Sequence, residues 1–148
     1  MADGEDGKRE WWVVNFANEE QNYVSIIICD GAVDVVEHFD RNWNNGLLDQ
    51  ADIKLTAKEA AELAKKLGMR GGNPENPEDW AYGYHFKMSY DALAVTPEDR
   101  RIFLEVIGVS PDGNFAHIDF DAVTGELLLA VEEIEHENGE TEWRGWGD

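Results

Sequence analysis

Short β-rich runs separated by turn signals dominate this sequence, and they leave few architectures open. Trp11–Ala17 (WWVVNFA) and Tyr23–Cys29 (YVSIIIC) flank the polar Asn18–Asn22 and predict an antiparallel hairpin. Asp30-Gly31 is a favoured two-residue hairpin turn, which makes Ala32–Phe39 a third strand. Ala32, Val35, Val36, Phe39 and Trp43 also fit a helical stripe, but the Asp-Gly turn and the valines favour the strand. Trp80, Tyr82, Tyr84, Phe86, Met88 and Tyr90 occupy alternate positions, the pattern of a strand with one apolar face. Ile102–Val109 is again β-rich. Pro111–Asn114 reads as a turn, and Phe115–Phe120 with Glu126–Glu135 predicts a hairpin across Asp121–Gly125. Asp52–Leu55 reads as a short strand, and Thr96-Pro97-Glu98-Asp99 as a helix N-terminus.

One helix is fully punctuated. Thr56 and Glu59 have the spacing of a capping box, in which each side chain satisfies a free N–H at the helix start. Ala60, Leu63, Ala64 and Leu67 form one apolar face. Glu62 and Lys66 pair across one turn, Lys65 and Lys66 complement the dipole, and Gly68 supplies the left-handed residue after the last turn. Strands joined by short turns imply antiparallel pairing. The expected fold is therefore α+β: a bent, mostly antiparallel sheet of about six to eight strands, with one main helix (57–67) on one face. A single domain spanning 1–148 is expected, with a frayed N-terminus at 1–8 and an acidic C-terminal tail at 136–148.

Charge restricts the partners. The chain carries 32 Asp+Glu against 12 Lys+Arg, a formal net charge of −20, yet 43% of it is hydrophobic and it holds six Trp. That is too apolar for a disordered acidic tail, and too acidic to bind nucleic acid or an anionic membrane by charge. The excess is uneven. Residues 102–148 hold 12 acidic residues and one basic residue, Arg144, while residues 1–101 hold 20 and 11. Glu132, Glu133, Glu135, Glu137, Glu140 and Glu142 form the densest run, with Trp143 and Trp146 beside it. Alternation along a strand sets Glu133, Glu135 and Glu137 about 6.7 Å apart on one edge or face. Such repulsion destabilises a fold. Three explanations compete: a binding face for a basic protein, adaptation to salt, and plain solubility.

The first explanation gives a non-catalytic inhibitor that masks a basic partner. The partner is then a nuclease or another nucleic-acid-binding protein, as for phage anti-defence or toxin-immunity proteins. The six glutamates bind it and the two tryptophans anchor it. The alternative is a small-molecule binder or enzyme with an aromatic pocket around Trp80, Tyr82, Tyr84 and His85. A metal has one candidate set, His117, Asp119 and Asp121, which share a strand face; the plain alternative is a solvated face. Cys29 follows three isoleucines and reads as a small buried hydrophobe. A dyad with His38 or His85 is the reactive alternative. No cofactor motif is present. Met1–Glu10 has no apolar signal core, and no run reaches the ~18 apolar residues of a membrane span, so a cytoplasmic protein is expected.

Two stretches resemble known phrases. Ile53–Leu67 (IKLTAKEAAELAKKL) is similar to a strand-then-helix phrase of small bacterial and phage proteins of unknown function. Phe115–Leu129 (FAHIDFDAVTGELLL) resembles the final hairpin of PepSY domains. The second likeness implies a hairpin there; neither implies a function.

Overall fold

The computed structural model describes residues 2–17, 22–39, 48–79, 81–90 and 101–146. The class is α+β with antiparallel sheets, but the strands form two sheets where one bent sheet was expected. The first sheet is a meander of β1 (Trp11–Ala17), β2 (Tyr23–Cys29) and β3 (Ala32–Phe39). The second is a five-stranded meander of β4 (His85–Tyr90), β5 (Ile102–Val109), β6 (Phe115–Asp121), β7 (Leu127–Glu135) and β8 (Thr141–Gly145). The break falls where no short turn links neighbours: residues 40–84 separate β3 from β4.

Residues 32–39 are the strand that the Asp-Gly turn requires. Asp30 and Gly31 both adopt positive φ, 51° and 76°, the backbone of the tight hairpin turn whose twist matches its strands. Helix α1 (Ala57–Lys66) starts at the capping box, with both reciprocal Thr56–Glu59 bonds formed. It ends with Gly68 N–H donating to Lys65 and Met69 N–H to Ala64, the two carbonyl captures of a left-handed helix stop. Replacing Thr56 with Ala is expected to cost about 1 kcal/mol in urea unfolding, because the Glu59 N–H at the helix start loses its partner.

The helix covers one face of the five-stranded sheet. Ala60 and Ala64 meet Ile102, Leu104, Val106, Ala116, Ile118, Phe120 and Ala130 in one buried cluster, with Leu63 and Leu67 at its margin. Strict alternation on β5 and β6 sends these side chains inward and Phe103, Glu105, Ile107, His117 and Asp119 to the outer face. The first sheet leans on this body through Trp12, whose ring stacks on Phe86 at 6.3 Å.

Four expectations change. Asp52–Leu55 is not a strand: Asp49 caps a 3₁₀ turn at Gln50–Asp52, and the Lys54 and Leu55 N–H groups both donate to one carbonyl, that of Ala122. The alternating run forms a strand only from His85. Gly83, at φ 76°, makes an isolated bridge with Gly72, and Tyr84 N–H turns away to the Asp3 carbonyl at 2.6 Å. The segment read as a tail supplies β8, which pairs with β7 from Val131↔Gly145 to Glu135↔Thr141. The N-terminal segment is likewise seated: Lys65 binds Glu5 at 2.9 Å, and Arg9 donates to the Ala2 and Tyr82 carbonyls. The helix start expected at Thr96 lies outside the described residues. Among the described residues, no helix is long and apolar enough to cross a membrane.

Candidate functional site

The acidic run divides by strand phase. On β7 the residues Ala130 and Glu132 face the core, while Val131, Glu133 and Glu135 face outward. Glu132 is only 2% exposed. Its carboxylate accepts from Ser110 Oγ at 2.6 Å, Asn114 Nδ2 at 2.7 Å, and Arg144 Nη2 and Nε at 2.6 and 3.1 Å. The Ser110, Asn114 and Arg144 hydrogen bonds hold its pKa at about 2. Glu132 therefore belongs to the scaffold and leaves the exposed face expected of it. It ties the β5–β6 turn to β7 and β8.

The other five glutamates remain toward solvent. Glu133 stands half-buried opposite Trp143, and Glu135 is exposed at the end of β7. Glu137 and Glu140 lie in the exposed turn between the strands, and Glu142 is exposed on β8, with His136 Nε2 at 3.5 Å. The expected line of Glu133, Glu135 and Glu137 along one strand stops at Glu135, where β7 ends. The acids instead crowd the tip of the β7–β8 hairpin. Trp143 is 50% exposed on the outer face and touches Phe115, itself 44% exposed, edge to face at 6.2 Å. Trp146 has another role: it packs at the margin of the core and its Nε1 donates to the Leu67 carbonyl.

Among the described residues expected to line an aromatic pocket, Tyr84 belongs to the core. Tyr84 is 2% exposed and its hydroxyl donates to the Met69 carbonyl at 3.0 Å. Asp3 lies against Gly83, and Arg9 sits between the Tyr82 carbonyl and His85 Nε2. Trp80 lies outside the described residues. A depression of about 310 Å³ does occur, between Phe16, Tyr23, Val24, His38 and Phe39, and neither Tyr82, Tyr84 nor His85 lines it.

The metal-ligand set is recomposed. His117 and Asp119 share the outer face as expected, but Asp121, at the end of β6, turns inward and is 7% exposed. Burial opposes its charge, yet the Thr124 and Val123 N–H groups hold its carboxyl below the ordinary range. Those two bonds, at 2.9 and 2.8 Å, close the β6–β7 turn. Glu105 takes its place: the Glu105, His117 and Asp119 donor atoms all lie within 4.8 Å of one another. Glu105 and Asp119 are direct cross-strand neighbours. Burial, with the Glu105 charge added, raises the Asp119 carboxyl above its ordinary value. The sequence held a signal for Glu105, since a hairpin closed at Pro111–Asn114 sets it opposite Asp119.

Cys29 is a free, half-buried thiol whose pKa is pushed up by burial and by the Asp30 and Asp34 charges, the reverse of an activated nucleophile. It pairs with Ala32 at one end of the first sheet, whereas His38 pairs with Val24 toward the other.

Compared with protein-family models, curated proteins and solved structures, the chain matches none.

Proposed function

We propose that the protein is a non-catalytic acidic interaction protein whose β7–β8 hairpin masks the basic surface of a partner protein. The observation that carries this reading is the fate of Arg144. It is the one Lys or Arg between residues 102 and 148, and it is spent internally on Glu132. Glu133, Glu135, Glu137, Glu140 and Glu142 therefore face solvent as a cluster with no lysine or arginine of their own segment to offset it. A basic partner supplies the missing cations, and complementary charge speeds encounter. Trp143, backed by Phe115, gives the cluster an apolar anchor of the residue type that dominates binding hot spots. The partner class that fits is a nuclease or another nucleic-acid-binding protein, in which cations are already gathered to meet phosphates. The pocket reading has less behind it, because Tyr84 is core and the N-terminal segment fills the space beside it.

The test has two stages. Immobilised protein is used to capture binders from native extract at low and high salt, and captured proteins are identified. Association is then measured with the purified binder. Changing Glu135, Glu137, Glu140 and Glu142 together to Gln is expected to slow association and flatten its salt dependence. Trp143→Ala is expected to weaken binding by about 2 kcal/mol, roughly 30-fold, mainly by faster dissociation. Capture of an acidic binder, or a rate and salt slope unchanged in the four-Gln variant, sinks the proposal.

A further inference from the structure

We infer that Glu105, His117 and Asp119 form a binding site for one divalent transition-metal ion on the outer face of the five-stranded sheet. The inference is independent of the partner reading.

The first ground is the donor set. One imidazole and two carboxylates, with donor atoms within 4.8 Å of one another, stand on adjacent strands β5 and β6. Ligands held at about 2.0–2.2 Å in tetrahedral geometry lie roughly 3.4 Å apart. Side-chain rotation on fixed strands closes that gap. Imidazole with carboxylate suits zinc and its first-row neighbours better than the all-oxygen preference of magnesium or calcium.

The second ground is independent of the first. Asp119 Oδ1 is buried and has no hydrogen-bond partner, the one such side-chain atom among the described residues. An orphaned buried oxygen costs free energy unless something else contacts it.

The third ground is charge. Glu105 and Asp119 are directly opposed on neighbouring strands, an arrangement that destabilises a sheet when both carry like charge. Lys87 flanks Glu105 from β4, but at 4.0 Å, with its side chain 61% exposed. That long, exposed contact offsets the carboxylates weakly and leaves Asp119 Oδ1 without a hydrogen bond. A divalent cation neutralises both carboxylates and gives Oδ1 a partner, while the His117 imidazole adds a nitrogen donor.

The ring of Trp143 lies 5.0 Å from that of His117, which supplies a built-in reporter. The experiment uses the full chain with Zn²⁺ alone as the calorimetric probe, in a large excess of Mg²⁺ that occupies diffusely acidic surface. One saturable equivalent of Zn²⁺ is expected. His117→Gln and Asp119→Asn are each expected to weaken it by more than about tenfold, since even outer-sphere partners act on that scale. Circular dichroism checks that each variant keeps its sheet. Co²⁺ is expected to quench tryptophan fluorescence in the unaltered chain, and Trp143→Phe to remove that share of the quench while Zn²⁺ still binds. A flat Zn²⁺ titration under excess Mg²⁺ overturns the site. So does undiminished affinity in the folded His117 or Asp119 variants, or a Co²⁺ quench that persists in full without Trp143.

Discussion

Glu132→Ala is expected to lower the melting temperature by on the order of 10 °C, the largest effect of any glutamate change in the hairpin. The substitution removes one carboxylate and strands three donors: the Ser110 hydroxyl, the Asn114 amide and the Arg144 guanidinium. These reach Glu132 from the β5–β6 turn and from β8, so that turn, β7 and β8 lose their common tie. Arg144→Ala is expected to destabilise less, because Ser110 and Asn114 still hold the buried carboxylate. By contrast, Glu135→Gln or Glu137→Gln changes exposed charge and leaves the melting temperature nearly unmoved. A Glu132→Ala melt no lower than that of Glu135→Gln would show that the network is not structural.

The same carboxylate carries a pH signature. Its folded pKa of about 2 lies below the ordinary 4.5, so between those values the unfolded chain binds the extra proton. Stability from Glu132 is therefore fully present above pH 4.5 and is lost as pH falls toward 2. Glu132→Gln lacks this titration. The stability gap between the two proteins, measured by urea unfolding, is expected to narrow as pH drops through that window. Comparing the pair cancels the other carboxylates, whose mutual repulsion relaxes on protonation and acts with the opposite sign. A gap independent of pH would mean that Glu132 does not hold its proton affinity that low.

What was legible in the sequence was local. The Thr56–Glu59 box, the Asp30-Gly31 turn and the β-rich run Ile102–Val109 each need only residues within one turn or strand, and each forms the element its residues predict. Glu132 shows where counting charge fails. Its acidity was visible, but phase on β7 decides its face, and its partners lie 22, 18 and 12 residues away. Glu105 was hidden for a related reason. A site shared between two strands depends on hairpin register, and only the turn at Pro111–Asn114 carries that information. The seat of the N-terminus left no periodic trace, because it rests on two backbones touching across glycine.

That contact yields the second large effect. Gly83→Ala is expected to cost about 3 kcal/mol, from about 1–2 for the left-handed backbone and about 1–3 for overpacking. Gly83 sits at φ 76°, and a Cβ there falls 2.1 Å from the Asp3 carbonyl oxygen and 2.6 Å from its Cα. Those are main-chain atoms that cannot rotate aside. Gly4 faces the other way across the seam, where a Cβ falls 2.5 Å from the Tyr84 carbonyl oxygen. Relief comes most cheaply by release of residues 2–9, which are held to the body by the Tyr84 N–H bond to Asp3, the Lys65–Glu5 pair and the Arg9 contacts with Tyr82 and His85, rather than by opening the sheet. Trypsin cleavage at Lys8 and Arg9 is therefore expected to accelerate more than about tenfold, since proteolysis tracks the open population. Gly31→Ala is the control: its φ is also 76°, but a Cβ there meets nothing within 4 Å, so it isolates the backbone cost. If the two variants lose equal stability and are cut at equal rates, the N-terminal segment is not seated on Gly83.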